Sequence, residues 1–469
     1  MKTLVIKNGL AVTENAEAVC DILCEDGKIT QIGKGFNVEN RPETEIIDAA
    51  GKIVIPGGVD VHTHLNLDTG TAAAADDFYS GTVAAACGGT TAIVDHPGFG
   101  PAFCDLDHQI NKYHDLACGR AVIDYGFHGV IQHVDEKVLS MMEGMAGEGI
   151  TSYKFYLTYG HKLSDGDVFR VLRRAKELGV LAAVHAENDG VINLLRSEFK
   201  SEGKTGTAFH PRSRPAECEA EAVSRMLLFA RMAGNAPLYI VHLSTAMGLE
   251  FIRAAKKSGQ QNIFAETCPQ YLLLDESRYA LPENEGLKYV MCPPLRTASD
   301  REALMRGLET EIDTVATDHC PFLFKSQKMI GRDDFTLCPS GAPGVEERIP
   351  LLYGEVAKGR MGLRRFTDLC CANPARLFGI YPQKGVIAPG SDADIVVIDP
   401  QKQVTIKSEL LHGNADYSAY EGLQTQGWPV LTISRGEVIV RNGEFTGKAG
   451  RGKFLKRELW NRSLTASRM

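Results

Sequence analysis

His62 and His64 stand i, i+2 apart at the end of an apolar run over residues 52–64. In a strand that spacing turns both imidazoles to one face; on a helix the useful pairing is i, i+4. The chemistry on offer is metal ligation from a strand end, since neutral imidazole is a common metal ligand. An isolated His-x-His is as ordinary in a core or on a surface, so its company has to decide. His185 closes the run 180–185, His242 closes 238–242 and Asp318 closes 313–318. Five polar residues on four strands, each at a carboxyl-terminal end, are hard to account for as satisfied core groups.

Lys154 lies inside Thr151-Ser152-Tyr153-Lys154-Phe155-Tyr156-Leu157-Thr158-Tyr159. A lysine in a buried strand must shed its charge or find a partner, because desolvating an ammonium is costly. One reading is an ion pair, or a side chain pointing out from the strand's other face. The other starts from the histidines. An ammonium beside imidazoles and metal is repelled, whereas a lysine that has taken up carbon dioxide is an anionic carbamate whose two oxygens bridge two cations. Charge counting agrees with the second. Two Zn²⁺ bring four positive charges; Asp318, a carbamate and a hydroxide offset three, and the residual positive site suits a developing oxyanion.

These residues need elements that gather strand ends. From about 56 to 383, short apolar strands alternate with helix-period stretches. Strands are read at 90–95, 149–156, 180–185, 238–242, 262–266 and 313–318, with helices over 165–178 and 217–233. Repeated β-α over about 330 residues predicts a parallel sheet, most economically a TIM-like (β/α)8 barrel. In such barrels the carboxyl ends of the strands carry the active site. Residues 1–55 have another texture: short β elements at 4–6 and 18–24, a hairpin signal at Asp26-Gly27, and an alternating strand at 29–32. Strands return at 394–399 and on both sides of Arg435-Gly436. The expected fold is α/β: a catalytic barrel over 56–383, a small β-sandwich domain built from both chain ends (1–55 and 384–450), and a C-terminal arm over 451–469.

Composition narrows the partners. The 469 residues are 44% apolar and 23% charged, with net charge −8, so nucleic acid is a poor partner. The basic residues within 447–469 read as a solvated or partner-docking terminus. No apolar run approaches the length of a bilayer span, and the charged start Met1-Lys2-Thr3 does not suit a signal peptide. Twelve scattered cysteines without a C-x-x-C pair predict free thiols in a reducing cytoplasm.

Taken together the motifs resemble the cyclic amidohydrolases of the amidohydrolase superfamily, and within them the hydantoinase and dihydropyrimidinase branch. The marks are Gly57-Gly58-Val59-Asp60-Val61-His62-Thr63-His64, Gly88-Gly89-Thr90-Thr91, Ser152-Tyr153-Lys154, Val184-His185-Ala186-Glu187-Asn188 and Val241-His242-Leu243-Ser244. Further on stand Glu266-Thr267-Cys268-Pro269-Gln270-Tyr271, Pro293-Pro294-Leu295-Arg296, Ala316-Thr317-Asp318-His319-Cys320 and Asn414-Ala415-Asp416-Tyr417. Any one is weak; in this order, over nearly the whole chain, they are specific.

The resemblance implies two divalent metals. His62, His64 and Asp318 would hold one, His185 and His242 the other, with Lys154 bridging as N6-carboxylysine. Zinc suits the imidazole-rich set and Mn²⁺ also fits; carbon dioxide is needed to carbamylate the lysine. Tyr159, five residues beyond Lys154, falls where the family has a tyrosine that polarises the substrate carbonyl. The segments around Cys292 and Ser340 resemble those that grip a cyclic imide through backbone groups, although the family usually has Ser and Asn at these positions. A homotetramer is also implied, with the C-terminal arm crossing to a neighbouring subunit. His96 and His319 are read as structural.

The implied reaction is metal-dependent hydrolysis of a small cyclic diamide. The substrates would be 5-substituted hydantoins of the D-phenylhydantoin kind, dihydropyrimidines, or both, opened to N-carbamoyl amino acids. Water activated by the metals would attack the ring carbonyl, Asp318 acting as base and then acid while Tyr159 stabilises the oxyanion. Two rivals stand beside this. An allantoinase or dihydroorotase is one, but a dihydroorotase places an Arg two residues after the second His, where this chain has Asn66. Leu65, Leu67, Tyr156 and Leu163 instead suit an apolar ring substituent. A non-catalytic scaffold of the same fold is the other; all six ligand positions being kept counts against it.

Overall fold

A computed structural model describes residues 3–36 and 44–460. Strands from both ends of the chain hydrogen-bond into a single nine-stranded sheet. From the N-terminal side come β1 (Thr3–Val12), β2 (Glu17–Glu25), β3 (Lys28–Gly33), β4 (Thr44–Asp48) and β5 (Ile53–Pro56). The turn between β2 and β3 is Asp26-Gly27, both at positive φ (48° and 82°), as the Asp-Gly signal predicts. The C-terminal side supplies β15 (Ile395–Thr405), β16 (Gln424–Ser434), β17 (Glu437–Arg441) and β18 (Glu444–Phe445). The halves meet where β15 runs antiparallel to β5, Ile395 opposite Pro56 and Ile398 opposite Ile53. Leu4, Ile6, Ile22, Val54, Ile395 and Ile433 form the apolar layer of this sheet.

The middle of the chain builds two parallel sheets. One orders β6 (Gly58–Thr63), β7 (Thr90–Asp95) and β8 (Asp124–Phe127). The other runs β9 (Gly129–Val130), β10 (Ser152–Tyr156), β11 (Leu181–His185), β12 (Leu238–Ile240), β13 (Ile263–Thr267) and β14 (Thr314–Val315) in chain order. Each of these strands is buried almost throughout, as parallel strands covered on both faces are. Helices lie between them. Asp165–Leu178 starts on Ser164, whose side chain accepts from Asp167 N, and stops at Gly179 with φ 67°. Ala216–Met232 turns Val223, Met226, Leu227 and Ala230 inward.

The sheets touch at both margins. His128 alone separates β8 from β9. At the other margin Thr63, the last residue of β6, bridges in parallel to His319, and His64 N donates to His319 O at 2.9 Å. Buried Arg348 reinforces this margin, giving Nη1 to Val59 O (3.1 Å) and Val315 O (3.0 Å). Asp60 does the same from the strand itself, accepting from Thr317 N at 3.2 Å and Thr317 Oγ1 at 2.7 Å. Gly57 lets β6 begin here, since a Cβ on it would lie 2.1 Å from Thr91 Oγ1.

One strand departs from the sequence expectation. The sequence texture gives no strand at 124–127, because β8 begins on a charged residue and contains Gly126. Asp124 is nevertheless buried, paired with Lys384 at 2.6 Å and with Arg435. Over 451–460 the C-terminal arm lies along its own chain. Tyr125 N donates to Lys453 O (3.0 Å), Leu455 N to Tyr125 O (2.7 Å) and Trp460 N to Gly179 O (3.0 Å). Buried Arg457 gives its guanidinium to Ser152 Oγ (2.9 Å) and Phe127 O (2.5 Å). Residues 461–469 of the arm lie outside the described residues. No helix among the described residues is long and apolar enough to cross a membrane.

Candidate active site

Five of the six candidate ligands sit at or near the carboxyl ends of parallel strands, and the sixth, Lys154, lies within one. His62 is the penultimate residue of β6 and His64 follows its end; Lys154 is central in β10; His185 ends β11. His242 lies two residues past β12 and Asp318 three past β14. All six line one cavity of about 390 Å³, together with Tyr159, Cys292 and Ser340; of the residues expected to suit an apolar substituent, Leu67 and Tyr156 reach it and Leu65 and Leu163 do not. Leu67, Phe99 and Tyr156 give it an apolar wall.

The carboxylate of Asp318 is the hub. Its Oδ1 lies 3.1 Å from both His62 Nε2 and His64 Nε2, and ligand atoms of the three residues fall within 4.8 Å of one another. The opposite nitrogens are engaged. His62 Nδ1 meets Glu266 Oε1 at 2.7 Å, and His64 Nδ1 meets His96 O at 3.2 Å. On the other side of the cavity the His185 and His242 rings are 4.5 Å apart, and His185 Nε2 contacts Glu187 Oε2 at 2.7 Å.

Whether these groups suit a cation is tested by what they leave unmet. His62 Nε2, close to Asp318 but not aligned with it, and His242 Nδ1 are buried atoms without a hydrogen bond. Leaving such an atom unpaired costs about 1–3 kcal/mol, and a cation removes that cost at both. Four imidazoles, a carboxylate and a lysine form a nitrogen–oxygen donor set suited to zinc or manganese. Burial pushes His64, His185 and His242 below the usual imidazole range, toward the neutral form that ligates. Burial opposes a charge on His62 too, but Glu266 and Asp318 outweigh it and hold its pKa at about 9, where a metal would take the proton's place. Asp318 is also penalised by burial, yet His62 and His64 keep it well below the carboxylate range. Lys154, 1% exposed, is pulled down by burial to about 8 against the opposing pull of Glu266 and Asp318.

Tyr159 stands in the loop after β10, its ring 5.1 Å from that of His185. It takes φ 73°, His242 φ 38° and Asp318 φ 52°. Backbone held in the left-handed region by residues other than glycine clusters at functional sites, where surrounding structure imposes it. Cys292 Sγ donates to Ser340 Oγ at 3.4 Å on the cavity wall, so these two side chains engage each other.

Two supporting carboxylates have no role in the sequence reading. Glu266, fully buried at the end of the predicted strand 262–266, holds His62 and also accepts from His242 N at 2.8 Å and Tyr239 Oη at 2.9 Å. Glu187 holds His185. Their signal was an acidic residue at the end of, or just past, a largely apolar strand, where an unpaired charge would be prohibitive. His96 and His319 fall outside the ligand set. His96 stacks on His128 at 3.8 Å, and His319 joins Asp76 (3.1 Å) to Gly344 N (3.1 Å).

Known proteins resemble this chain in sequence and fold. The Amidohydrolase family profile matches residues 53–439. The D-phenylhydantoinase of Escherichia coli O1:K1 / APEC is 50% identical over 457 residues, covering 97% of this chain and 98% of that protein. The crystal structure of dihydropyrimidinase from Brevibacillus agri NCHU1002 superposes with a TM-score of 0.95 at 42% identity, over 98% of this chain and 99% of that one. The L-hydantoinase (dihydropyrimidinase) from Arthrobacter aurescens superposes with a TM-score of 0.89 at 32% identity, over 97% of this chain and all of that one.

Proposed function

The chain belongs to the amidohydrolase family, and from that premise we propose that it is a cyclic amide hydrolase opening 5-substituted hydantoins and dihydropyrimidines to N-carbamoyl amino acids. One observation carries the reading: His62, His64, Lys154, His185, His242 and Asp318 converge on a single cavity with an apolar wall. Among its described lining residues Lys154 is the only lysine or arginine, so the cavity offers no separate cation for the carboxylate of dihydroorotate. Leu67, Phe99 and Tyr156 suit an apolar substituent on the ring.

His62, His64 and Asp318 would hold one divalent ion and His185 and His242 a second, with zinc favoured by the donors and manganese compatible. Lys154 would bridge as N6-carboxylysine. Its pKa of about 8 supports this, because carbon dioxide reacts with a neutral amine, which releases a proton as the carbamate forms. Bound there, the metals supply Lewis acidity and a water that is nucleophilic near neutral pH. The chain's own groups do the rest. The apolar wall and the backbone near Cys292 and Ser340 orient the ring. Asp318 accepts the proton of the attacking water at a carboxylate oxygen and returns it to the leaving ring nitrogen. Tyr159 donates its hydroxyl to the carbonyl oxygen as negative charge develops there.

The same reading extends to architecture. The link of β6 to the segment after β14, and of β8 to β9, supports closure into a (β/α)8 barrel over 56–383. The sheet shared by both chain ends supports a small β-sandwich domain of 1–55 and 384–450. A homotetramer in the cytoplasm completes the proposal; the free cysteines agree with a reducing compartment.

The test is a substrate panel on purified, metal-analysed protein: both hands of 5-phenylhydantoin, dihydrouracil, dihydroorotate and allantoin. Opening of the hydantoin and dihydrouracil rings, with dihydroorotate spared, is the expected outcome. Metal-loaded protein that opens none of these rings overturns the reading.

A further inference from the structure

Arg214 shares with Arg348 the place of largest wholly buried side chain among the described residues, and it carries a charge. Its position follows from local sequence. Pro215 disfavours helical backbone at the residue before it, and Arg214 breaks the path between the short helix His210–Ser213 and the helix Ala216–Met232 with φ −134° and ψ 62°. Its carbonyl accepts from the guanidinium of Arg296, whose Nε donates to Ser244 Oγ at 3.0 Å. The residue is therefore fixed from the backbone outward.

Two contacts of its guanidinium lead to the candidate site. The edge forks onto Glu187, Nε to Oε1 at 3.1 Å and Nη2 to Oε2 at 2.8 Å. Glu187 Oε2 in turn contacts His185 Nε2 at 2.7 Å, which leaves His185 Nδ1 as the nitrogen free for a metal. Meanwhile the guanidinium carbon lies 5.7 Å from the centre of the Tyr159 ring, within cation–π reach. Tyr159 is 36% exposed, so packing covers only part of its side chain and the guanidinium contact is one of few that fix the ring.

We propose that Arg214 is a positioning residue that ties the metal ligand His185, through Glu187, and the hydroxyl-bearing ring of Tyr159 to one rigid guanidinium, so that ligation and carbonyl polarisation are set together. The inference rests on the hydrolase reading above. A planar fork and a flat cationic face are both needed, and lysine, a point charge on a flexible stem, offers neither. Arg214→Lys therefore separates this role from that of a mere counter-ion for Glu187.

The experiment compares wild type, Arg214→Lys, Tyr159→Phe and the double variant. It reads metal retention against a chelator, then kcat and KM on 5-phenylhydantoin after full metal loading. Arg214→Lys is expected to lose metal at chelator concentrations about tenfold to 100-fold lower, as supporting partners of ligating histidines do. Its kcat should also fall with metal restored. Tyr159→Phe should cost less in the Arg214→Lys background than in wild type, since the ring is already misplaced there. Wild-type metal retention in Arg214→Lys, or losses of kcat that multiply in the double variant, overturns the proposal. Should Arg214→Lys not fold, Glu187→Gln tests the same linkage by metal retention, and unchanged retention there is equally adverse. Wild type that binds metal but opens no ring removes the hydrolase reading and this proposal together; active wild type with an indifferent Arg214→Lys removes only this one.

Discussion

Glu266 Oε1 accepts from His62 Nδ1 at 2.7 Å, and that contact decides which nitrogen of His62 faces Asp318. A carboxylate can only accept, so a proton stays on Nδ1, and Nε2, which gives up its own proton when a metal binds, is the nitrogen that faces the cavity. The same oxygen accepts from His242 N, so one buried carboxylate orients residues on both sides of the candidate metal pair. Glu266→Gln keeps the shape and removes the charge. Metal affinity should fall about tenfold to 100-fold, read as metal lost to a chelator, while the circular dichroism spectrum stays that of wild type. Undiminished affinity would contradict the orienting role.

Lys154 gives the second prediction. Alanine there removes the proposed bridging anion and leaves the cavity wider; arginine keeps a cation that does not form the carbamate. Both variants should hold fewer than two metals per chain by elemental analysis and lose hydantoin opening by about 100-fold or more. Stripped wild-type protein should regain activity faster when bicarbonate accompanies the metal. Full activity of Lys154→Ala with two metals bound sinks the carbamate bridge.

A third prediction concerns stability and pH. Lys384 is fully buried among Asp124, Asp392 and Asp394, at 2.6, 2.9 and 2.8 Å, and joins the shared β-sheet to β8. Burial works against its charge, but the three carboxylates outweigh it and raise Lys384 above its ordinary 10.5. Burial would likewise raise Asp392, but Lys384 and Lys28 hold it below 3.8. The lysine's contribution is complete below pH 10.5 and fades only as pH rises through its higher folded value. That of Asp392 is complete above pH 3.8 and fades as pH falls through its lower folded value. Wild type should therefore show a flat thermal midpoint, as far as this cluster is concerned, between those limits. Lys384→Met strands buried carboxylates and should cost about 3–5 kcal/mol at neutral pH. Asp392, left with Lys28 alone against burial, binds protons more readily in the folded variant than in folded wild type, so the deficit should shrink as pH falls from 8 toward 4. Thermal melts across that range check both magnitude and sign.

What the sequence made legible follows from which signals are local. His62 and His64 announce themselves by strand periodicity, and His185, His242 and Asp318 by ending apolar runs. Helix Asp165–Leu178 is readable to the residue because Ser164 and Gly179 punctuate it. β8 is not readable, because its charge at Asp124 is neutralised by Lys384 and Arg435, residues distant in sequence. Positive φ at Tyr159, His242 and Asp318 is equally invisible, since packing and not residue type imposes it. Tyr159, Cys292 and Ser340 came only through family resemblance; no spacing rule carries them. Glu187 and Glu266 stand in motifs in plain view, yet their roles depend on which imidazole lies across a strand.

The C-terminal arm yields the last prediction. Over 451–460 it supplies the edge of β8 with backbone partners, through Lys453 O and Leu455 N on either side of Tyr125. Arg457 buries its guanidinium against Ser152, two residues from Lys154. Burial pulls Arg457 down to about 9, and such a group is tolerated only because its N–H groups meet Ser152 Oγ and Phe127 O. An arm whose only task was to reach a neighbouring subunit would change the mass of the assembly when removed and leave each subunit as stable as before. This arm is also part of its own subunit. Truncation after Lys448 should therefore lower the thermal midpoint whatever light scattering reports. Arg457→Met, with the arm kept, should cost about 1–3 kcal/mol by taking a donor from buried Phe127 O and from Ser152 Oγ, the latter still held by His128 Nδ1. A truncated protein that melts like the full chain would show that docking over 451–460 contributes no stability, and would return the arm to a role between subunits alone.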